Sequence, residues 1–161
     1  MFSPEELNIV MRLNYPRQRA VRWLPVHLDL ITLNEFDAEN IEMYRENLIR
    51  VQHTGLCFSV FDKEKIYAIF GLWELWPGVC ECFLIPSADI GKKVHRFHRA
   101  SLLFFDHAVN KMDIKRLQIV VRSDNVLAVE WAERCYFIKE GLMKNWSPQL
   151  VDSFIMARIE N

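Results

Sequence analysis

Two short apolar runs, at residues 79–85 and 117–121, are separated by a long amphipathic stretch reaching about residue 112, and this arrangement constrains the fold more than any other feature. Within the stretch Val94, Phe97, Ser101, Phe104 and Ala108 fall at helical spacing, and Leu103, Phe105 and Val109 widen the apolar face. No hairpin turn precedes the second run. A helical crossover carries the chain back to the end of the sheet where the first strand began, so the two runs are predicted to pair in parallel.

The segments upstream have short connections. Residues 56–61 and 65–76 flank Asp62, Lys63 and Glu64 and read as a hairpin. Pro77-Gly78 fits the central positions of a type II turn leading into 79–85, which completes an antiparallel meander. Near the N-terminus Ser3, Pro4 and Glu6 form a helix start with a capping box, and that helix stops before Tyr15-Pro16. Residues 16–22 read as a basic connection, and 26–33 alternates weakly and predicts a first strand. Asp37 is expected to cap a helix whose Ile41, Tyr44, Leu48 and Val51 share one face and which ends near Thr54-Gly55. Downstream, Asp124 or Asn125 caps a helix running to about Arg134, and 137–145 and 152–159 are the final strands. The expected organisation is an N-terminal helical extension, 1–25, and one domain, 26–161.

Composition narrows the function classes. The chain has 161 residues, is 51% hydrophobic and carries a net charge of −1, so it can bury a core but has no global field for nucleic acid or membrane surfaces. No stretch approaches the ~20 apolar residues of a membrane span. Glu5 and Glu6 and the lack of a long apolar run argue against a signal peptide. Strand alternation puts Cys80 and Cys82 on one face, and neither they nor Cys57 and Cys135 have ligand pairs at zinc-site spacing. Buried free thiols, no metal and a reducing, cytoplasmic setting are the expectation. The order of a Ser/His/Asp triad, a P-loop and an HExxH motif are all absent from the sequence.

The charge is unevenly spread. Arg12, Arg17, Arg19 and Arg22 form one basic group, and Lys92, Lys93, His95, Arg96, His98 and Arg99 form another at the start of the long helix. His95 and His98 share a helix face but lack a nearby third ligand, so a solvated basic helix start is the simpler reading. The same group could contact phosphates.

The element order resembles the GNAT acetyltransferase superfamily over roughly residues 26–160. Asn125 and Ala128 match its Asn-x-x-Ala segment, and Glu133 and Phe137 match the segment after it; Ala132 stands where the family carries Tyr, and Tyr136 where it carries Gly. The resemblance implies an α+β fold: a mixed, mostly antiparallel sheet, parallel and splayed between its fourth and fifth strands, with helices on both faces. It implies acetyl-CoA as cofactor, with Asn125 on the pantetheine arm, and it places a Tyr that protonates the departing thiolate where this chain has Ala132. Counted back from residues 116–117, the family's glycine-rich phosphate turn aligns with residues 93–98, where Arg96 and His98 replace glycines; counted forward from Pro86 it aligns with 89–94, where Lys92 and Val94 replace them and Asp89 stands for a basic residue, with Gly91 the one flexible position. Lys92, Lys93 and Arg96 are then the expected cofactor contacts. Glu81, in mid-strand, is the candidate general base, with Glu74 a weaker candidate.

A narrower resemblance, over about residues 79–159, is to the degenerate GNAT-like proteins of short-tailed phages, one branch of which is an internal virion protein. It implies a virion component or host-directed binding protein, in the virion or host cytoplasm, with weak or no acetyltransferase activity. The alternative is an active acetyl-CoA-dependent N-acetyltransferase acting on an amine of a protein or small molecule. A protein partner or homo-oligomer is expected, through the Trp73–Trp76 strand end and the N-terminal basic region; nucleic acid is not.

Overall fold

The computed structural model describes residues 2–160, with the side chains of Thr54 and Lys92 outside the described set. Helix α1 (Pro4–Val10) leads to strand β1 (Gln18–Arg22), the short helices α2 (His27–Leu30) and α3 (Glu35–Ala38), and helix α4 (Ile41–Thr54). The meander β2 (Gly55–Asp62), β3 (Lys65–Trp76) and β4 (Val79–Pro86) follows, then a 3-10 turn (Ala88–Lys93) and helix α5 (Val94–Met112). Strand β5 (Arg116–Arg122), helix α6 (Val126–Arg134), and strands β6 (Ile138–Met143) and β7 (Ser153–Ile159) complete the chain.

The strands form one sheet in the order β1-β2-β3-β4-β5-β7-β6. All neighbours are antiparallel except β4 and β5, whose parallel pairing covers Val79 with Arg116, Cys80 with Leu117 and Glu81 with Gln118 and then stops. The crossover therefore has the predicted direction, and the two strands part after Glu81. Gly78, at φ +79°, supplies the left-handed residue that the turn into β4 demands.

Strand alternation divides the apolar side chains between two cores. On one face Phe58, Phe70, Leu72, Cys80, Cys82 and Leu117 pack against Leu7 of α1, Phe104 and Ala108 of α5 and Ala132 of α6. On the other, Cys57, Ile69 and Ile85 pack with Trp23, Leu28, Leu48 and Val51, beneath α2 and α4. Each such aliphatic or aromatic side chain, fully buried, stabilises by about 1.5–3 kcal/mol.

Three expectations need correction. The strand predicted at 26–33 is instead the helical turn α2 and its flanks, while the segment read as a basic connection supplies β1. In β1 only Ala20 is buried, and Arg19 and Arg22 lie over the rings of Phe61 and Phe58, so this strand has no hydrophobic signature to read. His27 is buried in α2, where its Nδ1 lies 2.8 Å from the Ser59 hydroxyl and accepts from the Leu24 N–H; burial pushes its pKa down. Asp37 caps nothing: Asn34 caps α3, and Asp37 is buried and accepts from the Tyr44 hydroxyl. The penultimate strand spans 138–143 rather than 137–145, because Tyr136 and Asn145 both have positive φ, 70° and 50°.

Candidate active site

Strands β4 and β5 point the same way, and a helix starts beyond the C-terminal end of each. The mouth opened by their divergence is therefore flanked by two helix N-termini, whose dipoles favour negative charge. Position along the chain sets what each residue can do there.

Glu81 is the last β4 residue paired with β5. Its carboxylate is half-buried and accepts a 2.8 Å hydrogen bond from the Gln118 side-chain amide. Trp73 lies directly across β3 from it, so Trp73, Glu81 and Gln118 share a face. Glu74 is one residue further along, opposite Cys80, so it faces the other side of the sheet, and it is exposed. The structure thus separates the two acidic candidates and puts only Glu81 beside the splay.

The turn after β4 is organised by Ser87, whose hydroxyl accepts from the Asp89 N–H. A Cβ at Gly91 would meet no atom within 4 Å, so the turn is open on that side. No side chain caps the start of α5. Lys93 turns away from the mouth: its ammonium pairs with Asp62 and lies 5.5 Å from the Tyr67 ring centroid. Asp62 also accepts from Arg17 at 3.1 Å; burial pushes its pKa up, but the bonds from Lys93, Arg17 and Gln18 outweigh that and hold it below the usual carboxylate range. Arg96 is exposed and has no ion pair among the described residues. The side chain of Lys92 lies outside the described set.

Across the mouth, Asn125 caps α6 by accepting the Ala128 N–H at 3.2 Å, which leaves its amide NH₂ available. Ala132 is 0% exposed. A phenol there would have to displace core side chains. The inner faces of α5 and α6 close on each other through the Phe97–Trp131 ring pair, 5.8 Å apart, and through His98 Nδ1, 3.6 Å from Cys135 Sγ. Burial pushes the Cys135 thiol up to about 12, so it is not a thiolate nucleophile near neutrality. Among the described residues no group of three or more His, Cys, Asp or Glu could hold a metal ion.

Sequence reasoning missed Gln118 and Asp62. Gln118 partners Glu81 through a register that no local pattern reveals, and Asp62 looked like an ordinary turn residue.

This architecture, a mixed sheet with parallel, splayed β4 and β5 and helices on both faces, is the GNAT acetyltransferase fold. The structure is similar to an acetyltransferase from Salmonella typhimurium that modifies the N-terminal serine of a ribosomal protein, with 16% identity, coverage of 91% of this chain and 96% of that one, and a TM-score of 0.69. It is similar to the microcin self-immunity acetyltransferase MccE, solved with acetyl-CoA and AMP, at 14% identity, 96% and 95% coverage and a TM-score of 0.68. It is also similar to a GNAT-family acetyltransferase from Bacillus anthracis at 12% identity, 89% and 95% coverage and a TM-score of 0.69. No protein-family model matches the sequence, and no curated protein matches it.

Proposed function

We propose that this chain is an acetyl-CoA-dependent N-acetyltransferase acting on an amine of a protein or small molecule. The observation that carries the reading is the place of Glu81, a half-buried carboxylate held by Gln118 where β4 and β5 part. The residues at the mouth fit the cofactor: the uncapped α5 amides and Arg96 suit its phosphates, and the Asn125 amide suits its pantetheine arm. When bound, acetyl-CoA supplies the acetyl group as a thioester. Glu81 takes the proton from the amine, and the bond from Gln118 fixes which carboxylate oxygen is directed away from the acceptor. Lys93 does not contact phosphate in this reading, because Asp62 holds it.

A second reading, a binding protein of the same fold with little acetyltransferase activity, rests on the diversion of Lys93 to Asp62. Calorimetry with acetyl-CoA and with free coenzyme A separates the two. The enzyme reading expects binding at about 10 μM or tighter, roughly 7 kcal/mol. It also expects Glu81→Gln to lower turnover by ~10²–10⁴ while binding persists. Absence of both cofactor binding and acetyl transfer to peptide or polyamine amines would sink it and leave the second reading.

A further inference from the structure

A cavity of about 320 Å³ lies on the α5 face of the sheet, between the N-terminal half of α5, strands β2 and β3, and the loop after α1. Its volume falls at the lower end of those that hold small organic ligands. Its wall is apolar and largely aromatic, with Val60, Phe70, Leu84, Phe97, Phe104 and Trp131. Phe83 and Leu84 of β4 and Trp131 of α6 also line it, but neither Glu81, Asn125 nor any residue of β5 does, so the body of the cavity lies to one side of the wedge between β4 and β5.

The charged part of the lining gives this cavity a chemical preference. Four cationic residues line it, Arg12, Lys93, Arg96 and Arg99, and no Asp or Glu does. Asp62 neutralises Lys93, whereas Arg12, Arg96 and Arg99 are exposed and have no ion pair among the described residues. Arg96 is already assigned to the cofactor phosphates, which leaves Arg12 and Arg99; a buried apolar wall beside these two uncompensated guanidinium groups suits a ligand with an apolar body and an anionic head.

We propose that this cavity is a binding site for an amphiphilic organic carboxylate, with a medium-length aliphatic chain or one or two rings inside and the carboxylate at Arg12 and Arg99. The ligand enters beside the loop after α1, not through the acetyl-CoA mouth. The site does not depend on the chain being an acetyltransferase.

The test is calorimetry on the whole protein with decanoate, with decanol as the uncharged analogue and acetate as the headgroup alone, each repeated under saturating coenzyme A. Decanoate is expected to bind at least tenfold more tightly than decanol, acetate is expected not to bind, and coenzyme A is expected to leave decanoate affinity unchanged. The surface pair Arg12→Gln and Arg99→Gln, which leaves the core intact, is expected to weaken decanoate at least tenfold and to leave decanol unaffected. Ala100→Phe, which fills the cavity from α5, is expected to abolish binding of both. Equal affinity for decanoate and decanol, no effect of the arginine pair, or loss of decanoate binding under coenzyme A would each overturn the proposal. Because the arginine variants are on the surface, a failure of Ala100→Phe to fold leaves the test decisive.

Discussion

Gly71 shows how much one residue position can fix. It pairs with Cys57 across β2 and β3, and a Cβ added there would stand 1.9 Å from the Leu56 carbonyl oxygen and 2.8 Å from the Phe83 ring. Its φ is not in the left-handed region, so the requirement is space and not backbone freedom. Neither obstacle is the far end of a flexible chain. Gly71→Ala is expected to cost about 3 kcal/mol or more, at the upper end for overpacking, and urea denaturation would read it as a lower midpoint with an unchanged slope. A variant as stable as the parent would show that β2 and β3 can separate locally without penalty. The carboxylate at 81 is a different kind of position. Its surroundings are a neighbouring amide and an open wedge, so a conservative change there should alter chemistry and leave the fold alone.

At the scale of elements, the contact between α1 and α5 carries a pH dependence. Glu6 completes the capping box of α1 with Ser3 and reaches across to α5, where it accepts from Lys111 at 2.6 and 2.7 Å and lies 2.6 Å from His107 Nε2. The Lys111 and His107 bonds, in that order, pull its pKa from 4.5 down to about 2. Folded Glu6 thus stays ionised where the unfolded chain is already protonated. Its contribution is complete above about 4.5 and is lost as pH falls through about 2. The stability gap between the parent and Glu6→Gln should close as pH drops across that window, measured by thermal unfolding. A constant gap would mean that the contact is worth nothing beyond the cap.

Element by element, legibility followed burial. The meander, α4, α5 and the parallel crossover were readable because each buries a face with a period that shows in the apolar residues. Strand β1 was not, because its inward position is an alanine and its arginines use their stems over Phe61 and Phe58. Helix α2 was mistaken for strand because four residues are too few to show a period and because His27 is held by Ser59, 32 positions away. The site divided in the same way. Glu81 stood out as an acid inside an apolar run, and Asn125 as the start of a helix. The partners that decide the roles of Glu81 and Lys93, Gln118 and Asp62, come from distant strands.

Taken whole, the molecule is one sheet between two cores, with its large exposed apolar residues away from both. Trp76 is 62% exposed at the end of β3, Trp146 is 61% exposed beyond β6, and Trp23 is fully buried. We propose that the Trp76 end of the sheet meets a second copy of the chain, since exposed aromatics of this kind dominate interface energetics. Light scattering should then report an assembly that Trp76→Ala disperses, and acrylamide should quench that tryptophan less in the assembly than in the dispersed protein. A monomer in which acrylamide reaches Trp76 freely at every concentration would count against the interface.

The four cysteines have a use as clocks. All are buried, and desolvation raises every thiol, Cys80 to about 11 and Cys135 to about 12. An alkylating reagent at neutral pH therefore meets almost no thiolate until the surrounding structure opens, so the rate of labelling measures opening itself. Cys57 lies under α4, whereas Cys135 lies at the seam of α5 and α6 beside His98. Modification at these two sites, resolved by mass, would time the departure of the helices on each face independently, with no substitution in the chain.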